Sequence, residues 1–339
     1  MARLTANVDR MRRGAQKAAD WIESQQSADG SIDLAGGIGS IYKTTFTLVA
    51  AGRLHAAWRL MDFIAKNWMT QPGEFHVKNE TAFDKATAFY RNCYILRAAL
   101  CMGRFDIASP AAMDRLFKYQ HRSGGFCMSL KGSERKRVSP THTSMGGWLS
   151  LYTARMDRAV RAGDFLLKLI RSQPDMKRRF YINADATSGR CIRTFEQGTA
   201  FTHVVDTKLR VQQFFHAGAM MGFLSDLYRA TGKVKYLRGA ETLFAHDQRM
   251  HSRSFEWASK CKVGWGSALL HSVTGKAAQR RVAEKVAQVT MIKNQRRNGS
   301  WADLLFPTRD DGSGVVLSSM EVTSEFTFEL CEMVKALSR

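Results

Sequence analysis

One short phrase returns along the 339-residue chain and limits its fold more than any other feature. A helical stretch ends in glutamine and runs into a turn made of glycine and an aromatic or aliphatic residue. The glutamines are Gln26, Gln71, Gln120, Gln173, Gln248 and Gln295, spaced 45 to 53 residues apart except for one gap of 75. Three copies keep one spacing: Gln26 with Gly30-Ser31-Ile32, Gln120 with Gly124-Gly125-Phe126, and Gln295 with Gly299-Ser300-Trp301. Gln71-Pro72-Gly73 and Gln173-Pro174 are looser copies, and Leu243-Phe244 to Gln248 is a degenerate one. A period of this length marks a supersecondary unit that must stack on its neighbours to bury both faces.

The segments between the phrases read as helices. Ala56 to Ile64 and Val282 to Ile292 carry apolar residues at i, i+3, i+4 spacing. Gly52-Arg53-Leu54, Gly103-Arg104-Phe105, Thr231-Gly232-Lys233 and Thr274-Gly275-Lys276 are stop signals between one helix and the next. No strand alternation of any length is visible, and the chain holds only five prolines. Helices that end in Gln carry Lys, Arg and Glu on one side, as an outer layer would. The segments after each turn, such as Thr45 to Ala51, Cys93 to Leu100 and Gly218 to Leu224, are apolar nearly all round and suit an inner layer. Six such pairs can extend as a solenoid or close into a ring, and wholly apolar inner helices favour closure.

The loop pattern resembles the Gln-to-Trp repeat of the terpenoid cyclase and protein prenyltransferase superfamily. Leu227-Tyr228-Arg229-Ala230-Thr231-Gly232 with Tyr236-Leu237 is similar to the six-hairpin glycosidases and sugar epimerases. Both resemblances imply an all-α (α/α)6 toroid of six helical hairpins, here a single domain over residues 1–339. They are specific for fold and weak for activity, because unrelated chemistries occupy this barrel.

Bulk properties narrow the partners. With 51 Lys+Arg against 30 Asp+Glu the net charge is +21, which suits nucleic acid, an anionic membrane or an anionic small substrate. The basic residues come as short clusters, Arg135-Lys136-Arg137 and Lys177-Arg178-Arg179 among them, so a solvated basic surface is expected and nucleic acid is not. No run approaches the roughly 18 apolar residues of a membrane span, and residues 1–21 lack the apolar core of a secretion signal. The six cysteines show no metal-knuckle spacing. The expectation is a cytoplasmic protein with reduced thiols and no membrane span.

Motifs of known chemistry are mostly missing. The Asp-x-Asp-Asp acid of protonating cyclases is absent; Asp310-Asp311-Gly312 reads as a turn or cap. The prenyltransferase zinc set cannot be placed, and His246 and His251 point to different helix faces. There is no phosphate loop and no Gly-x-Ser-x-Gly elbow, and Gly36-Gly37-Ile38-Gly39-Ser40 reads more simply as a turn than as an anion cradle. No metal and no cofactor is expected.

In a toroid of this kind the pocket opens where loops lead into inner helices, so polar residues at inner-helix starts are the candidates. As catalytic groups these are Asp84, Tyr90, His142 and His216. As substrate-binding groups they are Tyr42, Lys43, His76, Arg91, Asp206 and Gln213, with Trp257, Trp265, Glu321 and Glu325. Each has a plainer alternative. Asp84 and Asp206 suit helix caps, His142 and His216 suit satisfied core positions, and Glu321 and Glu325 run on to Glu329 as a charged stripe. Trp257 and Trp265 suit core packing. The leading functional expectation is a cofactor-independent enzyme that cyclises or isomerises a small organic substrate, anionic or polyene. His142 or His216 would move a proton, with Asp84 assisting and Arg91 and Lys43 holding negative charge. The second is a carbohydrate enzyme, either a hydrolase with two carboxylates or a uronate lyase using Tyr, His and Arg. The third is a non-enzymatic helical-repeat binding protein.

Overall fold

The computed structural model describes residues 2–32, 37–77, 80, 82–130 and 132–338. Its helices are α1 (Ala2–Ser24), α2 (Gly37–Ile41), α3 (Thr44–Ala50), α4 (Leu54–Trp68), α5 (Ala82–Cys101) and α6 (Pro110–Phe117). They continue with α7 (Pro140–Tyr152), α8 (Met156–Arg171), α9 (Phe215–Thr231), α10 (Val234–Asp247), α11 (Cys261–Thr274), α12 (Ala277–Lys285) and α13 (Ser319–Leu337). Helices α3, α5, α7, α9, α11 and α13 each touch the next, and α13 returns to α3, so the inner ring is closed. Outside them lie α4, α6, α8, α10 and α12, each packed on the inner helix before it, while α1 packs on α13. This is the (α/α)6 toroid, with its sixth hairpin made of the first and last helices.

The inner helices are buried on every side because they have no polar face to turn outward. In α7 every residue from Pro140 to Ser150 is buried, and in α11 every residue from Cys261 to Leu270. Where α9 meets α11 the two backbones touch. A Cβ on Gly218 would stand 2.2 Å from the Lys262 carbonyl carbon, and one on Gly266 would stand 2.3 Å from the Gly218 oxygen. Only glycine permits that approach.

The repeated glutamine joins consecutive outer helices. Gln120 Nε2 donates to Gly124 O in its own turn and to Arg158 O on α8, each at 3.0 Å. Gln26 does the same to Gly30 O and to Ala56 O on α4, and Gln295 to Gly299 O and to Gly14 O on α1. Gly124 has φ +102°, and a Cβ there would meet the Arg161 carbonyl at 2.2 Å. Gly30 and Gly299 repeat both properties. Gln173 instead exchanges a pair of bonds with the Tyr181 backbone, and Gln71 is exposed in a tight turn. The strict spacing therefore marks the turns that reach the next outer helix.

The structure departs from the sequence reading in three places. The 75-residue gap holds an insertion, residues 172–214, and short strand pairs decorate one end of the ring. They are β1 (Met69–Gln71) with β2 (Glu74–Phe75), β3 (Arg137–Val138) with β5 (Ala184–Asp185), β4 (Arg179–Tyr181) with β6 (Val204–Asp206), and β7 (Leu304–Pro307) with β8 (Gly314–Leu317). All are antiparallel. They are too short to show alternation. The stretch Val282 to Ile292 is not one regular helix either, since α12 widens into a π-turn over Val286–Met291. Of the Gly36–Ser40 segment, Gly36 lies outside the described residues, and Gly37 onward is helical.

Gln120→Ala removes both donated bonds and the acceptor for Arg158 and Arg161. It is expected to lower unfolding free energy by about 2 kcal/mol, whereas exposed Gln71→Ala stays within about 0.5 kcal/mol. Urea denaturation of the two variants checks this.

Candidate functional site

The N-terminal ends of the inner helices converge on a cavity of about 360 Å³. Tyr42 and Lys43 reach it from the turn before α3, Tyr90 from α5, His142 from α7, Gln213 from the turn before α9, and Glu321 and Glu325 from α13. All seven were candidates from the sequence.

A buried charge ladder forms one wall. Glu321, Glu325 and Glu329 stand on successive turns of α13, and two lysines interleave with them. Lys43 Nζ lies 3.2 Å from Glu321 Oε1 and also pairs with Glu325. Lys262 Nζ pairs with Glu325 and lies 3.3 Å from Glu329 Oε1. Three carboxylates thus face two ammonium groups. Burial raises the Glu329 pKa against the pull of Lys262 and Cys261, and Glu329 Oε2 has no hydrogen-bond partner. Cys261, Glu325 and Glu329 bring possible metal-ligand atoms within 4.8 Å of one another, but Lys262 already sits on both carboxylates.

The opposite wall is aromatic and carries the histidines. His142 is 6 % exposed, and neither ring nitrogen has a partner. Its ring stacks on Phe89 at 5.7 Å and tilts against Tyr90 at 5.8 Å. Burial pushes its pKa down to about 4, so it is neutral at pH 7. His216 lies one layer behind. Its Nε2 faces Gln213 Oε1 at 3.1 Å, and its Nδ1 faces Thr141 Oγ1 at 2.7 Å. Because Gln213 Oε1 only accepts, Nε2 carries the proton and Nδ1 accepts from Thr141. Burial, then His142 and Lys262, push His216 down to about 3. Tyr90 and Tyr94 share a hydrogen bond at 3.2 Å, and burial raises the pKa of Tyr42 to about 12.

The insertion and the β7–β8 hairpin cover the mouth. Phe306 contributes to the cavity wall, stacked on Trp257 at 6.2 Å and tilted against Phe215 at 6.1 Å. Asp310 clasps the two covers together: its carboxylate accepts from Ala200 N at 3.1 Å and Phe201 N at 2.7 Å. The turn predicted for Asp310-Asp311 is present, with Asp311 accepting from Ser313 N at 2.8 Å.

The remaining candidates sit elsewhere. Asp84 is in the first turn of α5, where its carbonyl accepts from Thr87 Oγ1 at 3.3 Å. Arg91 is 1 % exposed and anchors the β2 turn through Phe75 O at 2.8 Å and Glu80 at 2.7 Å, and His76 lies against the same Glu80. Asp206 is paired with Arg178 and Arg179. Trp257 donates to Gln212 O at 3.0 Å behind Phe306. Trp265 stacks on Trp148 at 4.6 Å, deep in the ring. The sequence reading missed Lys262, Cys261, Arg137, Asn183 and His203, which also line the cavity. Lys262 carries the same signal as Lys43, a lysine at the start of an apolar inner helix.

No protein-family model and no curated protein sequence matches the chain. Solved structures do. A D-mannose isomerase superposes with TM-score 0.66 at 12% identity, over 99% of this chain and 97% of the other. An unsaturated glucuronyl hydrolase specific for heparin gives 0.63 at 12%, over 96% and 97%. A type II terpene cyclase from Scytonema, solved with geranylgeranyl dihydroxybenzoate, gives 0.59 at 12%, over 98% and 99%. The toroid fold that both resemblances implied is thus shared. No described helix is long and apolar enough to cross a membrane.

His142 and His216 bind protons less readily when folded than the usual 6.5, so the unfolded chain takes up more protons as pH falls. Stability is then whole above about pH 6.5 and is lost as pH falls toward 4, with His142 alone costing about 2 kcal/mol between pH 7 and 5. His142→Gln should flatten that pH slope by this amount in urea denaturation. At pH 7, Lys262→Met takes one of two ammonium partners from Glu325 and the ammonium partner of Glu329, and should cost about 3 kcal/mol in urea denaturation. Glu329→Gln, which replaces a carboxyl already biased toward its neutral form, should cost less than about 1 kcal/mol.

Proposed function

We propose that this chain is an enzyme that moves a proton within a small, largely apolar organic substrate, isomerising or cyclising it without a cofactor. The observation that carries this is His142, a neutral imidazole with both nitrogens unpartnered on the wall of an aromatic cavity. With a pKa of about 4, only about one molecule in a thousand carries its imidazolium at pH 7. His142 is therefore a base first. In an isomerisation the proton leaves a substrate carbon, rests on the imidazole and returns to another carbon, so one residue balances the step. Lys43 and Lys262 on the wall would face the negative charge that develops as the proton leaves, while Phe306, Phe326 and Tyr90 hold the apolar body of the substrate. Lys43 with Glu321 would orient a polar end. A cyclisation begun by protonation needs a stronger acid than His142 supplies, which favours isomerisation within this reading.

The second reading is a uronate lyase, favoured by Tyr90, His142 and Arg137 lining one cavity. A hydrolase is less well supported. Glu321 and Glu325 are the carboxylates on the wall among the described residues, and both are held by lysine. Each carboxylate is thus engaged within the ladder rather than open to a glycosidic oxygen. An open centre also argues against a purely scaffolding repeat.

The test incubates the purified protein with polyprenyl-substituted aromatic acids and, separately, with uronate oligosaccharides, followed by NMR and mass spectrometry. A product of unchanged mass from the polyprenyl set, reduced about 100-fold or more in His142→Gln, is expected. Undiminished turnover in that variant, or an unsaturated sugar as the sole product, overturns the proposal.

A further inference from the structure

The ring has a second opening. At the opposite end, the C-terminal halves of α5, α7, α9, α11 and α13 surround a cavity of about 290 Å³. An aromatic plug separates it from the first. Phe328 lies 5.7 Å from Phe46, 5.6 Å from Tyr94 and 5.6 Å from Trp265, and Trp265 stacks on Trp148.

On the distal side of that plug lies Arg97, 2 % exposed and part of the cavity lining. Its guanidinium packs 4.0 Å from the Phe46 ring and donates through Nη2 to Tyr152 OH at 2.8 Å. Its Nε and Nη1 have no acceptor, and its nearest carboxylate, Glu332, stands 3.8 Å away. The other charged groups at this mouth are Arg229, Lys335 and Asp226. Asp226 is already used: it accepts from Trp148 Nε1 at 2.9 Å and Arg229 Nη1 at 2.6 Å. Three cations thus face two carboxylates, one of them fully engaged.

Basic residues at helix C-termini ordinarily answer the negative ends of the helix dipoles. That account covers Arg229 and Lys335, which lie in the last turns of α9 and α13. It does not cover Arg97, because no helix-end carbonyl accepts from its free N–H groups. A buried guanidinium with idle donors lacks an acceptor that something else can supply. The rest of the wall sets the shape of that acceptor's carrier, since Trp148, Leu151 and Leu269 make the cavity apolar beside the cations.

We propose that the distal mouth is a second binding site, for a small organic acid whose carboxylate meets Arg97, Arg229 and Lys335 and whose flat apolar body lies along Trp148 and Leu151. Arg97 would pivot from the Phe46 ring toward the carboxylate, bringing its idle N–H groups into use. This site is independent of the activity proposed above.

Calorimetric titration of the full chain at fixed ionic strength tests it, with benzoate as the probe and benzyl alcohol and inorganic phosphate as controls. Saturable one-to-one binding of benzoate is expected, without binding of the alcohol and with weaker binding of phosphate. Arg229→Ala and Lys335→Ala, both at solvent-exposed positions, should each weaken benzoate about tenfold. Arg97→Gln should abolish binding, and its circular dichroism spectrum reports whether it folds. His142→Gln should bind as wild type does. Absence of saturable benzoate binding, indifference to Arg229→Ala and Lys335→Ala, or loss of binding in His142→Gln overturns the proposal.

Discussion

A single amide holds each of three junctions in the outer ring. Gln26, Gln120 and Gln295 each bond one carbonyl in their own turn and one on the next outer helix. These joints act from outside a ring that burial assembles and that has few directional contacts of its own, such as Thr44 with Ser324 and Thr141 with His216. Burial drives those helices together. The glutamine turns fix three of the lateral joints between the outer helices around that ring.

That space is costly to furnish with charge. Carboxylates and ammonium groups taken from water must find each other at close range, and the ladder from Glu321 to Glu329 does so with Lys43 and Lys262. The ladder leaves the far wall free to stay apolar, and there His142 loses its proton to burial rather than to any partner. The two walls supply opposite resources: fixed, paired charge on one side, and an uncommitted neutral base among rings on the other.

The ring was legible in the sequence because its joints are local. A glutamine, a glycine of positive φ and an aromatic residue sit within seven positions of one another, so their spacing survives in one dimension. Seven of the candidate site residues line the cavity because they share one readable property, a polar side chain opening an apolar helix. Arg91 shares that property yet turns toward β2, and Asp84 stays in the first turn of α5 outside the cavity lining, since helix phase cannot be read from apolar residues on all faces. Arg137, Asn183 and His203 were invisible because Arg137 sits in a two-residue strand and the insertion brings Asn183 and His203 in from the turns beside its short strands, where no periodicity can develop.

The ring closes through a hairpin whose two helices, α1 and α13, lie almost the whole chain apart. Met11, Ala15, Ala18 and Ile22 on α1 are fully or almost fully buried, and α1 is made before α13. On a ribosome this apolar stripe waits, uncovered, until the last helix emerges. The five sequential hairpins can assemble in order of synthesis, but the arc they form keeps two raw edges until then. Closure of the toroid therefore waits on a contact between elements nearly the whole chain apart, a long loop to close before the stripe is covered.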